Sequence, residues 1–323
     1  MAKRIISKQQ HIILLLLYIF RFLNRVHIQK FLLNKGDRGI NRLLKKLVNQ
    51  GYVERDFKPI FGTLTKPAVY FLTASGREYI RNSYQYHFPK YLKRIARDKN
   101  SSKAFRIRCQ IIADWYLLLF PPVNLRILKQ QAKDNKTTQQ KEQKNNTKKG
   151  RKKKKISEQK QTGIAIIDTI VRELTVDTEN TEEKIPLNTA QFFTPAYFPN
   201  LSLLPGVKPD AVIRKRTIKG IKLWFLFVLD AYIPRFILKY QFQRIINTLS
   251  DETWEEDIYT INILTISPNH QIIVYAKRLL PSLLERYYGN TIQFYFATRN
   301  QLYKAQSGQS SEIPWVTISS TDL

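Results

Sequence analysis

Along residues 37–56, DRGINRLLKKLVNQGYVERD, apolar side chains recur at Ile40, Leu43, Leu44, Leu47 and Val48, the i, i+3, i+4, i+7, i+8 spacing of one buried helical stripe. Asp37 is the expected N-cap and Gly51 the expected C-terminal stop. The opposite face carries Arg38, Asn41, Arg42, Lys45 and Asn49, donors that reach base edges and phosphates if the helix lies in a major groove. An ordinary amphipathic helix with a solvated basic face has the same pattern, so the neighbouring segments decide between the two. Upstream, residues 7–22 and 26–33 read as two helices. Downstream, residues 52–55 and 68–73 alternate like two strands around a loop whose turn residues are Pro59, Gly62 and Pro67.

Three helices followed by a hairpin is the order of a winged helix-turn-helix, and double-stranded DNA becomes the leading expected partner. Lys58 and Lys66 flank the hairpin loop, where a wing meets the DNA backbone or a minor groove. Thr73, followed by Gly76 and Arg77, is placed to cap the next helix. The string Tyr70-x-Leu72-Thr73-x-x-Gly76 resembles the strand-to-helix exit of many bacterial winged-helix regulators.

Residues 12–20 are continuously apolar behind Lys3, Arg4 and Lys8, which also fits the first two regions of a signal peptide. The run is too short to span a bilayer, Arg21 and Arg25 close it, and no small-residue cleavage pattern follows. The expectation is a cytoplasmic protein with no membrane partner. The single cysteine, Cys109, rules out an internal disulfide framework, and its apolar surroundings favour a buried thiol.

Charge sharpens the division of the chain. The net charge is +29, and residues 1–125 carry 24 Lys and Arg against 6 Asp and Glu, residues 126–160 carry 14 against 3, and residues 161–323 carry 16 of each. The basic excess stops where a low-complexity run stops, as expected if the front binds a polyanion and the back does something else. Residues 126–160 have almost no apolar side chain after Leu128 and read as a disordered basic linker. Within it, Arg151, Lys152 and Lys153 begin a cationic string suited to nonspecific phosphate contacts; it lacks the spaced glycine and the Ser/Thr of a P-loop.

Between hairpin and linker, residues 103–120 form a strong apolar helix whose Trp115, Tyr116, Leu118 and Leu119 read as core, either packed on the winged helix or pairing two copies. The second half changes pattern: short apolar runs at 211–213, 221–229, 258–266 and 291–297 alternate with helical stretches at 235–249 and 271–288, an α/β layer arrangement.

Lys208-Pro209-Asp210, then Phe227-Val228-Leu229-Asp230, together with the late run 294–302 (FYFATRNQL), resembles the replication-relaxation family of plasmid and mobile-element proteins. That resemblance implies an N-terminal winged helix joined to a C-terminal restriction-endonuclease-like domain. The expected layout is therefore α+β: a winged helix with helical extension over 1–125, the linker over 126–160, and a nuclease-like α/β domain over 161–323. In the nuclease superfamily an Asp and a Glu on the next strand hold magnesium, and a Lys two residues on polarises the attacking water. Here the matching positions are Asp210, Val228 and Asp230. Val228 has no ligand atom and Asp230 brings the wrong charge, so the domain is expected to be degenerate. Glu173 and Lys239 are the candidates to complete a migrated site.

His11, His27, His87 and His270 are too scattered for the His-x-His metal pair of a tyrosine relaxase, one cysteine excludes a zinc ribbon, and neither GxGxxG nor GxSxG occurs. The expected function is a duplex-DNA-binding accessory or regulatory protein of a plasmid or phage-type element, acting as a homodimer or with replication or mobilisation proteins. No cofactor is expected. The alternatives are a magnesium-dependent nickase built on Asp210 and Asp230, and a protein that coats nucleic acid by charge alone.

Overall fold

The computed structural model describes residues 6–33, 36–57, 67–83, 95–119, 190–194, 208–218, 220–230, 232–250, 258–285, 292–306 and 313–319. It is a mixed α+β structure with two sheets. The expected linker, Lys58, Lys66, Arg151, Lys152, Lys153 and Glu173 lie outside the described residues.

In the first half, α1 (Lys8–Phe20), α2 (Arg25–Phe31) and α3 (Asp37–Asn49) precede a hairpin of β2 (Val53–Asp56) and β3 (Val69–Leu72), and α4 (Ala74–Ser83) follows. A short strand not anticipated from the sequence, β1 (Leu23–Asn24), pairs antiparallel with β3 and makes the sheet three-stranded, in the order β1-β3-β2. Local chemistry sets most boundaries. Ser7 and Gln10 form a reciprocal capping box at α1, and Asn24 and His27 form one at α2. The helix start at α3 differs from expectation: Gly36 is the N-cap, without a side-chain bond, and Asp37 sits one residue inside. There the carboxylate faces the positive helix end and pairs with Arg25. Gly51 takes φ 77° just past α3, the left-handed stop that glycine accepts at little cost. Thr73 Oγ1 accepts from the Gly76 N–H at 3.1 Å and caps α4. Gly76 is also sterically required, because a Cβ there would lie 2.1 Å from the Tyr52 carbonyl oxygen.

Arg21 is strained. At φ 62° and ψ −51°, with the Phe22 N–H donating to the Phe20 carbonyl at 2.7 Å, it forms the centre of a γ-turn that sends the chain from α1 into β1. Its guanidinium pairs with the fully buried Asp98 and lies 4.5 Å from the Phe105 ring centre, contacts that hold this turn in place.

The second sheet has the order β4-β5-β6-β7-β8-β9, from β4 (Ala190–Phe193), β5 (Ala211–Thr217), β6 (Gly220–Val228), β7 (Ile258–Ser267), β8 (Ile292–Thr298) and β9 (Val316–Ser319). β6, β7 and β8 run parallel, and the flanking pairs are antiparallel. The parallel crossovers carry α6 (Arg235–Ser250) and α7 (His270–Leu284); α8 (Arg299–Gln306) follows β8.

The twofold side-chain period of strands sorts the two faces into two cores. Phe225, Ile261, Ile263, Phe294 and Phe296 face α6 and α7 and cluster with Leu238, Phe242, Ile273 and Leu280. Leu226, Val228, Leu264, Ile266 and Ala297 point the other way and join a second cluster. That cluster also contains the apolar run of α1, Ile40, Leu44 and Leu47 of α3, and Trp115 and Tyr116 of α5 (Lys103–Leu119). Helix α5 thus links the two halves: Trp115 packs edge-on against Trp315 and Tyr116 against Phe192. Across the same junction Thr194 Oγ1 donates to the Ile19 carbonyl at 3.3 Å. Residues 12–20, read above as part of a first helix and weighed as a leader, are buried throughout.

Candidate nucleic-acid interface and carboxylate–arginine cluster

Helix α3 separates its residues sharply. Ile40, Leu44 and Leu47 are buried, while Arg38, Asn41, Arg42, Lys45, Lys46 and Asn49 are exposed on the outer side. The cause is the helical period: apolar residues at i, i+4 and i+7 fix the inward stripe, which leaves the donors outward. Next to this surface, Arg55 of β2 is exposed and lies 4.6 Å from the Phe57 ring centre where the strand leads into the hairpin loop. Buried and half-buried polar contacts tie α2 and β2 to α5. His27 Nδ1 accepts from the Asn24 N–H, so the proton sits on Nε2, which donates to Asp114 of α5 at 2.9 Å. Arg106 of α5 pairs with Asp56 of β2.

The two candidate metal ligands of the second half are brought together, but around a cation supplied by the first half. Asp210 immediately precedes β5, Asp230 follows β6, and Arg108 of α5 reaches both: Nη2 lies 2.9 Å from Asp230 Oδ2 and Nη1 3.6 Å from Asp210 Oδ1. The second Asp210 oxygen accepts the backbone N–H of Val228 at 2.7 Å. Burial pushes the Asp210 carboxyl up to about 6, against the downward pull of Arg108 and the Val228 amide, and Asp230 adds to the rise. Arg299, at the start of α8, donates to the Leu229 carbonyl at 2.7 Å, and its buried Nε has no hydrogen-bond partner among the described residues.

This donor set does not fit magnesium. Val228, expected above at the position of the second carboxylate, is an apolar side chain buried in the core, and the two carboxylates present share a guanidinium. Lys239, proposed above to complete a migrated site, is exposed on α6 and makes no ion pair with Asp210 or Asp230 among the described residues. Arg108 and Arg299 were not anticipated as site residues. Arg108 lies far from Asp210 in sequence and falls in a helix whose apolar pattern signals only core.

The other expectation for that helix is met by Cys109, which is buried, its thiol pushed up to about 12 by desolvation. A shallow cleft of about 390 Å³ lies at the carboxyl ends of β7 and β8, lined by His270, Thr298, Gln301 and Lys304 among others. Among the described residues no helix is long and apolar enough to cross a membrane, and no three His, Cys, Asp or Glu side chains group as metal ligands. Compared with family models, curated proteins and solved structures, the chain finds no match.

Proposed function

We propose that residues 1–125 act as a winged helix that reads duplex DNA, with α3 in the major groove and the β2–β3 hairpin as the wing. The observation that carries the reading is the outward row of Arg38, Asn41, Arg42 and Lys45 on a helix whose other face is locked into the core. Guanidinium and amide groups at these positions suit the acceptor-rich edges of guanine and adenine. Lys58, Lys66 and the cationic string from Arg151 to Lys155 add phosphate contacts that steepen the salt dependence.

The second half is, in this reading, a nuclease-like module without catalysis. Arg108 pairs with the carboxylates that a nuclease would give to a metal. The protein then serves as an accessory or regulator of a plasmid or phage-type element, cytoplasmic, with DNA and replication or mobilisation proteins as partners.

The test is fluorescence anisotropy of the full chain on a selected duplex and on random duplex. Arg42→Ala costs about 1–3 kcal/mol on the selected site and blurs the preference, whereas Lys58→Ala weakens both duplexes alike. Equal losses on every sequence for both variants remove the claim of base readout. Magnesium-dependent nicking of supercoiled plasmid that disappears in Asp210→Ala would replace the regulatory reading with the nickase.

A further inference from the structure

We propose that the outer face of α6, together with the adjoining edge of α7, is a stacking platform for single-stranded DNA. Three aromatic side chains stand in solvent on this face: Tyr232 just ahead of the helix is 96% exposed, Phe236 70% and Tyr240 63%. Their spacing of four residues places Phe236 and Tyr240 on one stripe, roughly 6 Å apart along the axis. Lys239 and Arg244 flank them on the same exposed side, and Arg278, one turn on from the Tyr275 that meets α6, is exposed on α7. Neither helix contains an Asp or Glu.

The arrangement cannot be relieved by turning the helix. Leu238, Phe242, Ile245, Ile246 and Leu249 are buried on the opposite stripe, so rotating Phe236 and Tyr240 inward would expose that core. The start of α6 is also tied to α7, with the Arg235 guanidinium 5.6 Å from the Tyr275 ring centre and Tyr275 Oη donating to the Arg235 carbonyl at 3.4 Å. The aromatic rings are therefore held out in water by the packing beneath them.

Exposed rings on a fixed helix face, interleaved with cations and with no acid in either helix, match a strand that offers π-faces and phosphates together. In a duplex the base faces are stacked on one another, and rings on a convex helix would meet only sugar and phosphate. A second copy of the chain is a poorer occupant, because a twofold interface brings each patch onto itself and sets Lys239 and Arg244 against their own images. The choice of DNA as the single strand rests on the duplex-DNA reading above, since strand opening beside a bound duplex supplies it.

The measurement is anisotropy of the full chain with labelled oligothymidylate of about twenty nucleotides, beside the selected duplex. Phe236→Ala/Tyr240→Ala is expected to weaken oligothymidylate binding by about tenfold or more while duplex affinity and melting temperature stay unchanged. Lys239→Gln/Arg244→Gln is expected to reduce the salt dependence of the same binding. Unchanged oligothymidylate affinity in the aromatic variant overturns the proposal, as does parallel loss on both nucleic acids. Tighter binding of oligouridylate overturns the assignment to DNA, and a native dimer that the aromatic variant splits assigns the face to a second copy. If Arg42→Ala leaves duplex binding intact while the aromatic variant loses oligothymidylate, the winged-helix reading alone fails.

Discussion

Two arginine–aspartate contacts among the described residues, Arg21–Asp98 and Arg108–Asp210/Asp230, use the pair differently. At Arg21–Asp98 the guanidinium bonds a carboxylate that is 1% exposed, with the Arg77 and Arg106 charges also acting on it, next to a backbone turn with φ 62°. At Arg108 one guanidinium is shared by Asp210, 15% exposed, and Asp230, 50% exposed, across the junction between the two sheets. The first pair is a local clamp: α1 ends, the chain reverses, and Asp98 holds the reversal. The second joins distant chain segments and sets one guanidinium between two carboxylates. Burial makes the first pair strict and leaves the second tolerant, because the cost of an uncompensated charge grows as water is removed.

The largest effect should come from Arg21→Ala, which strands the Asp98 carboxylate in the core. A loss of about 3 kcal/mol in urea unfolding at pH 7 is expected. Desolvation already holds this carboxyl above its ordinary value, with Arg21 opposing the rise, so removing Arg21 raises it further. Its native form then binds the proton more readily than the unfolded chain, and the loss in the variant shrinks as pH falls towards the unfolded value near 4. Arg21→Gly is expected to lose about 1 kcal/mol less than Arg21→Ala, since glycine accepts the positive φ. Equal losses in the two variants would show that the turn stores no strain.

Next in size is the pH response at the second cluster. Because the folded Asp210 carboxyl lies near 6, above its unfolded value, the native state binds more protons between about pH 4 and 6. Asp210 therefore favours folding at the acid end of that window, an advantage lost as pH rises through 6. Asp210→Asn should remove this slope and leave the variant about 1–3 kcal/mol more stable than the native chain at pH 7.5, relative to their difference at pH 4. Parallel stability curves for the two proteins would contradict the burial of this carboxylate. Smallest is Asp230→Asn: half exposed, its pair with Arg108 is worth under about 1 kcal/mol. A larger loss would mean that the junction depends on that bond.

Periodic segments were legible before the fold was known. The apolar stripe of α3, the alternation in β3, the apolar runs of β6 and β7, and the apolar helix read over residues 103–120 follow from side-chain pattern alone, since burial of each needs only a partner surface. Elements with little pattern of their own were harder: two-residue β1 exists because β3 offers it a ladder, and α3 starts at Asp37, which pairs with Arg25, with Gly36 at the N-cap. Of the candidate site, the outward donors of α3 were readable, as was the absence of a ligand atom at Val228. Lys239 was not: it was proposed for a metal site and stands exposed on α6.

What the sequence determined by itself was which face of each helix and strand is apolar, and where basic and neutral halves divide. Those properties are set by residues within one or two turns of each other. Only the tertiary structure decided that α5 covers the second sheet, that Arg108 lies between Asp210 and Asp230, and that Tyr232, Phe236 and Tyr240 remain outside. Each of these depends on which surface another element has already covered, and that is settled by packing between segments far apart in the chain.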